Sequence, residues 1–579
     1  MKAEKPSPAG QDLVFGLIVP IGADRDLVIK ALRNELSSFK YNVPDPIKLS
    51  DKIPRYVDSF PDRDRLLQIA GDPRFKNSLE RKDLLMKAGN AIREQQKIEE
   101  AVALIAVVAI KEQRDALVRD GRVEKQNRMH THTAFIIDSL KHPAEVERLR
   151  SIYGPSFVAI GIYEPPEVRE RKLQKSTPQT GKVKYDLVRD LMERDEDEHR
   201  EFGQRLRKAF ELSDVVVDTS RKNDVRDQIS RVVQLLFGYP YLTPTKQEYG
   251  MFLARAAQAR SGSMARQVGA AVLREDGSVA AVGTNEVARP FGGQYWECDD
   301  KTYEKGRDFN RDRDSSDYFR QRAIADFLKR LRDEKYLDST LNDKEPEELL
   351  DILFFGSEEQ EYKQSVASQR ETAGSRLPHK AVLKGAFLTG TIDYVRAVHA
   401  EMAAITDAAR NGVEISACIM YTTTFPCHDC AKHIVASGLT ELIYFEAYPK
   451  SLVADLYDDS IDINKQRPEQ DLKVHFHSFV GIAPSRYLDF FAMSMDRKTA
   501  RGEPLDFNAA TATLRLPQYA PTPRAIAVAE TDAADGFLER APRQAALSPT
   551  NKAHANSRKK QPHRKSPRRK ATVSKGKKR

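Results

Sequence analysis

Hydrophobic and polar positions change their period several times along this chain. Residues 13–19 form a strand-like run, L-V-F-G-L-I-V, which Pro20-Ile21-Gly22 ends in a turn; from Leu27 the apolar positions recur at helical spacing in L-V-I-K-A-L-R-N-E-L. The pattern predicts a buried strand, a tight loop and an amphipathic helix. Further strands are predicted at Ala134–Ile137, ending at Asp138, at Phe157–Tyr163, and at Val215–Val217, before Asp218. Their alternation with helices predicts a doubly wound α/β domain over residues 12–238, preceded by a disordered N-terminus, 1–11.

A second alternation spans Val398 to Tyr444. V-H-A-E-M-A-A-I-T-D-A-A-R-N-G opens a helix near His399 and stops it at Asn411-Gly412, and A-C-I-M-Y-T-T reads as a buried strand. T-F-P-C-H-D-C-A-K-H-I-V-A-S-G then starts a helix near Cys427 that ends at Gly438, before the strand L-I-Y-F. The longest wholly apolar run, Ala101–Ile110, is ten residues, too short to span a bilayer, so no membrane partner is expected. The apolar stretch Leu13–Ala23 is interrupted by Pro20 and followed by no small-x-small cleavage site, so it reads as a strand and not as a signal peptide.

The chain has 579 residues, 40% apolar and 31% charged, enough for more than one core. Its net charge of +9 suggests a nucleic-acid binder until the charge is located. Residues 558–579 hold twelve Lys or Arg and no acid, which leaves 82 basic against 85 acidic residues elsewhere. The body is therefore near neutral. From about Pro521 the Ala, Pro, Ser and basic composition predicts a disordered basic tail over 516–579, able at most to make a weak nucleic-acid contact and dispensable for nucleotide chemistry. Four cysteines, Cys298, Cys418, Cys427 and Cys430, with two of them three apart, suit metal binding in a reducing, cytoplasmic setting better than a disulfide framework.

Cys427 and Cys430 would put both sulfurs on the first turn of one helix, whose free N–H groups favour the thiolates that zinc requires. With His399 as third ligand, one coordination position stays open for water, as in catalytic zinc sites. Zn2+ is the expected cofactor, and Glu401 is the expected catalytic carboxylate beside it. A bound water acidified toward a pKa of ~7 supplies the nucleophile, and the carboxylate carries its proton to a ring nitrogen and then to the departing amine. H-x-E followed by P-C-x-x-C, here His399-Ala400-Glu401 and Pro426-Cys427-His428-Asp429-Cys430, is the zinc nucleobase deaminase pattern. A closed zinc knuckle would need a fourth ligand and leave Glu401 unexplained. Cys418 reads as a core residue, and the pairs His130/His132 and His475/His477 as structural, since no third ligand lies near either in sequence.

These motifs, with S-M-A-R-Q-V-G-A-A-V-L-R-E-D-G-S-V-A-A-V-G-T-N-E-V as a first hairpin, make residues 244–515 resemble the deoxycytidylate-type deaminases, a cytidine-deaminase-like α/β/α domain. The resemblance implies a sugar contact from Asn285 and nominates Arg266 as a phosphate contact. Residues 12–238 resemble P-loop kinases that act on nucleotides, but the loop departs from G-x-x-x-x-G-K-[ST]. Residues 19–26 read V-P-I-G-A-D-R-D, with Val19 and Asp24 in place of glycines, Arg25 in place of lysine and Asp26 in place of the hydroxyl. Phosphoryl transfer is not expected there.

The order of degenerate P-loop-like domain and deaminase is similar to the bacterial anti-phage dCTP deaminases. That resemblance implies dCTP, with dCMP as a second candidate, as free substrates whose depletion serves antiviral defence. A polynucleotide deaminase and a non-catalytic nucleotide sensor are the alternatives; the near-neutral body speaks against the first and Glu401 against the second. The 114 positions between Asn285 and His399 predict an inserted, mostly helical subdomain at 298–392, as a pocket cover, a contact in a homo-oligomer, or a restraint on activity. Trp296, just before it, reads as a core or hinge residue.

Overall fold

The structure is a computed structural model that describes residues 12–120 except 59, 71, 76 and 77, then 132–175, 182–198, 202–355, 383, 386, 394–447, 451–464, 472–493, 496–515 and 521–540. It is a mixed α/β protein with two six-stranded sheets. Among the described residues no helix is long and apolar enough to cross a membrane. The apolar run Ala101–Ile110 lies in the helix Ala101–Arg119 with every side chain buried.

The first sheet takes β1 (Leu13–Ile18), β2 (Ile47–Lys48), β3 (Ala134–Leu140), β4 (Phe157–Tyr163) and β5 (Val215–Asp218), all parallel in the order β2-β3-β1-β4-β5. Both faces are covered, which is why these strands are almost wholly apolar and not alternating. On one face Leu13, Phe15 and Leu17 pack against Val28 and Leu32 of the helix Arg25–Ser38; on the other Val14 and Ile18 share a core with Val146 and Leu149 of the helix Pro143–Tyr153. The connection leaving β1 and the one leaving β3 therefore run over opposite faces.

The second sheet is built from β6 (Gly269–Leu273) and β7 (Val279–Thr284), an antiparallel hairpin, with β10 (Ile419–Thr424), β11 (Glu441–Glu446), β12 (Ile461–Ile463) and β13 (Val474–Ser478), in the order β12-β13-β11-β10-β6-β7. A two-stranded ribbon, β8 (Glu286–Val287) with β9 (Ala397–Val398), joins the two ends of the insertion. Residues 298–355 of the insertion hold the helix Ser315–Asp333 and a small core of their own around Ile324, Leu328, Leu349 and Leu350.

Two features differ from the sequence reading. After the second sheet the chain returns to the first, where β14 (Gly481–Ile482) pairs antiparallel with β5, and Phe490 enters the core of that sheet. The boundary at 244–515 thus does not separate two independent units. Val216 of β5 also packs with Tyr421, Ile443 and Phe479 of the second unit. The second difference lies in the tail: Pro523–Arg540 is a helix, not disordered chain, with Ile526, Ala533, Ala534 and Phe537 buried in the first core. Its alanine-rich composition lacks bulk, but small side chains let it lie close to the helix Ala101–Arg119. Residues 541–579 and 1–11 lie outside the described residues, as does His130.

Candidate metal centre

His399 follows β9 directly and occupies the N-cap position of the helix Ala400–Arg410. The ribbon pairs Glu286 with Val398, and the same register continued by one step sets Asn285 opposite His399. Gly283 makes the helix's approach possible, because a Cβ there would lie 2.1 Å from the Ala400 carbonyl oxygen. Cys427 caps the helix His428–Ala436, and its Sγ accepts from the Cys430 backbone N–H at 3.4 Å. The predicted helix starts and the stops at Gly412 and Gly438, both with positive φ, are where the spacing put them.

The His399 Nδ1 lies 3.3 Å from each of the Cys427 and Cys430 sulfurs, and the three donor atoms all lie within 4.8 Å of one another. Two buried sulfurs and the imidazole nitrogen of the half-buried His399 converge to form the donor set that suits zinc, and no fourth protein donor joins the group among the described residues. The Cys427 thiol is held down at about 4, first by the hydrogen bond from Cys430 and then by His399, against the push of burial. Its partner Cys430 is raised by that same hydrogen bond and by burial. The hydrogen bond to Cys427 raises His399.

Glu401, only 4% exposed, sits in the first turn of the same helix with Oε2 3.4 Å from the Cys430 sulfur. Burial pushes its carboxyl above the usual range. A carboxyl that takes up a proton readily stands beside this three-donor set.

Asn285 and Arg266 lie at the same end of the sheet. The Asn285 carboxamide accepts from the Val268 N–H at 2.6 Å and donates to the Arg266 carbonyl at 2.6 Å, so it braces the loop that carries Arg266. The Arg266 guanidinium pairs with Glu446 at the end of β11 and lies 3.9 Å from Glu211, which arrives from the first unit. Glu446 also accepts from Thr424 at 3.2 Å, three residues before Cys427. Burial and the neighbouring Glu446 push Glu211 up to about 7. Sequence reasoning missed Glu211 and Glu446, because neither falls in a motif; a charge ending an otherwise apolar strand, Y-F-E, was the one signal for the latter.

The other candidates keep structural positions. Cys418 is buried in the apolar layer under the His399 and Cys427 helices. The His475 and His477 rings stack 5.8 Å apart on β13, and neither joins a three-donor group among the described residues. His132 has a positive φ of 46° and packs its ring edge-on to Tyr41. Trp296 is 53% exposed, with the Arg260 guanidinium 3.7 Å over its ring, so it is a surface residue and not a core one.

Comparison with known proteins bears on this site. Residues 350–446 match the family described as the cytidine and deoxycytidylate deaminase zinc-binding region, a span that includes His399, Glu401, Cys427 and Cys430. The deoxycytidylate deaminase of Enterobacteria phage T2 is 52% identical over 54 residues, 9% of this chain and 29% of that protein. The deoxycytidylate deaminase of Homo sapiens is 31% identical over 98 residues, 17% of this chain and 49% of the relative. The chain thus spans less than half of either relative's length. A UPF0200/UPF0201 protein of Archaeoglobus fulgidus is 27% identical over 126 residues, 22% of this chain and 36% of that one. The structure of dCMP deaminase from cyanophage S-TIM5 aligns with 41% of this chain and 99% of its own, at 14% identity and a TM-score of 0.19. The chain therefore carries a cytidine and deoxycytidylate deaminase zinc-binding region, in which His399, Cys427 and Cys430 are positioned to take the zinc ion.

Proposed function

We propose that this protein is a zinc-dependent hydrolase that deaminates free deoxycytidine nucleotides, dCTP to dUTP and dCMP to dUMP, with release of ammonia. The observation that carries this reading is the buried Glu401 carboxyl beside a His399/Cys427/Cys430 donor set that lacks a fourth protein ligand among the described residues. His399, Cys427 and Cys430 would hold a zinc ion, whose Lewis acidity would lower the pKa of a water toward ~7. Glu401 does the proton work. It takes one proton of the attacking water and delivers it to the ring nitrogen N3 as the oxygen bonds to C4, then carries the second, from the C4 hydroxyl, to the amine as the C4–N bond breaks and the carbonyl forms, so that cytosine plus water gives uracil plus ammonia.

Asn285 is proposed to contact the sugar through the donor and lone pair its loop bonds leave over, and Arg266 to meet the phosphates in exchange for its carboxylate partners. The first unit is read as a degenerate P-loop-like domain, a reading supported by its parallel order β2-β3-β1-β4-β5 and the loop after β1. Depletion of the dCTP pool as an antiviral device, in the cytoplasm, is the physiological role this activity suits.

Two measurements test the reading. Cys430→Ser and His399→Ala should each reduce the zinc content of purified protein to a small fraction of the wild-type value, measured by atomic absorption. Ammonia release from dCTP, dCMP, deoxycytidine and single-stranded DNA, assayed side by side, is expected to be fast on a free nucleotide and slow on the polymer. Faster release from single-stranded DNA would replace this reading with a polynucleotide deaminase.

A further inference from the structure

Glu211 ends the helix Leu206–Glu211 and reaches from the first unit toward Arg266. Its position is fixed on both sides. Phe210, the residue before it, packs against the core that holds Val216, Tyr421 and Ile443, where the two sheets meet. After it, Arg150 donates to the Leu212 carbonyl at 2.8 Å and to Asp214 at 3.0 Å, and Asp214 also accepts from the Ala159 N–H at 2.8 Å. The Glu211 carboxylate therefore stands at a set distance from the guanidinium, 3.9 Å at the nearest atoms.

Arg266 is tied to the zinc site by two routes. Its carbonyl accepts from Asn285, which the ribbon register sets opposite His399; its guanidinium pairs with Glu446, which also takes the Thr424 hydroxyl three residues before Cys427. Both carboxylates approach one nitrogen, Nη2, and the other donors of the fork have no acceptor among the described residues. A planar fork with donors to spare suits a phosphate.

The charge around it decides how well a phosphate is received. One guanidinium between two carboxylates carries a net −1 when Glu211 is ionised and 0 when it is neutral, and like charge set against like disfavours binding. Glu446 is the fixed member, its side chain 12% exposed and bonded to both Arg266 and Thr424. Glu211 is the variable one, 27% exposed and at the longer distance. Burial first and then Glu446 push it up to about 7, against Arg266, Lys208 and Arg207. The cations nearby are otherwise engaged: Arg207 with Glu196 at 3.4 Å and Asp197 at 3.9 Å, and Arg150 and Arg486 with Asp214 at 3.0 and 3.7 Å.

We propose that Glu211 is a specificity-determining residue of the zinc site, a carboxylate supplied by the first unit that sets the charge of the phosphate end around Arg266, so that a nucleotide binds as Glu211 takes a proton from solvent. The assignment rests on the reading of that site as a deaminase of free deoxycytidine nucleotides. It gives the first unit a part in choosing the substrate without a ligand of its own. The sign is set by the ionised form, which opposes the phosphate: near pH 8 protonating Glu211 weakens binding about tenfold, and near pH 6 it costs almost nothing.

The test is steady-state kinetics of the full-length, zinc-loaded protein on dCMP, dCTP and deoxycytidine, at about pH 6 and about pH 8, for wild type, Glu211→Gln and Glu211→Asp. Glu211→Gln is expected to lower KM for both nucleotides about tenfold near pH 8 and less than about twofold near pH 6, with kcat held. KM for deoxycytidine, which carries no phosphate, should not fall. Glu211→Asp keeps the charge and should keep the wild-type rise of KM with pH. Ratios of variant to wild type at each pH cancel the titration of the substrate phosphate and of the zinc-site groups. The melting temperature of Glu211→Gln near pH 8 should equal or exceed that of wild type, because the ionised carboxylate is the form that burial disfavours. Equal nucleotide KM values for Glu211→Gln and wild type at both pH values overturn the proposal, as does the same fall in KM for deoxycytidine. A raised KM with a lowered melting temperature assigns Glu211 to the scaffold and equally overturns it. A zinc-loaded wild type that turns over no free nucleotide overturns the deaminase reading itself, and this proposal with it.

Discussion

Replacing Glu401 with Gln is expected to leave about one zinc per chain while lowering turnover of deoxycytidine nucleotide by roughly 10³-fold. Retention of metal follows from the geometry: the donors are His399, Cys427 and Cys430, and Glu401 approaches only the Cys430 sulfur, at 3.4 Å. Loss of turnover follows from the chemistry. The amide fills the same space and preserves the helix, but it cannot accept the protons of the attacking water or pass them to the ring nitrogen and the leaving amine. Zinc content and ammonia release measured on one preparation separate these effects. Metal retained together with wild-type turnover would remove Glu401 from the mechanism, whereas joint loss would make it a structural support of the donor set.

The donor set and Glu401 were legible in the sequence because each lies at a helix start whose local spacing fixes the geometry. His399 precedes Ala400 at an N-cap, Glu401 lies two residues on, and Cys427 and Cys430 span one turn. The strands of the first sheet were legible for a related reason: burial on both faces demands continuous apolar runs such as Phe157–Tyr163. What escaped depends on partners far apart in the chain. The two-residue strands β8, β9 and β14 are too short to show a period, yet they join the ends of the insertion and tie residues 481–482 to β5. Glu446 and Glu211 gain meaning only when Arg266, 180 residues from the former, comes between them. Composition misled at Pro523–Arg540, where a low-bulk helix needs a preformed surface to dock on.

That docked helix is expected to make the end of the chain a contributor to stability, although the sequence reading expects nucleotide deamination to be unchanged without residues 520–579. Arg114, 1% exposed, donates to both oxygens of Glu530 at 2.5 and 2.6 Å and to Asp12 at 3.1 and 3.2 Å, with its guanidinium 5.2 Å over the Phe135 ring. Burial alone would disfavour its charge, and Glu530 and Asp12 more than offset this, raising its pKa. Glu530→Ala leaves a buried guanidinium with one carboxylate, and breaking such a pair costs about 3–5 kcal/mol. Glu530→Gln, which keeps the shape and one acceptor, should cost less. Truncation after residue 515 removes Glu530 and also the buried Phe537 side chain, itself worth about 3–5 kcal/mol, a large part of the usual 5–15 kcal/mol stability of a domain. Chemical denaturation followed by circular dichroism should therefore order the proteins as wild type, Glu530→Gln, Glu530→Ala and truncation, from most to least stable. A truncated chain with a wild-type midpoint would show that the helix rests on the first core without contributing to it.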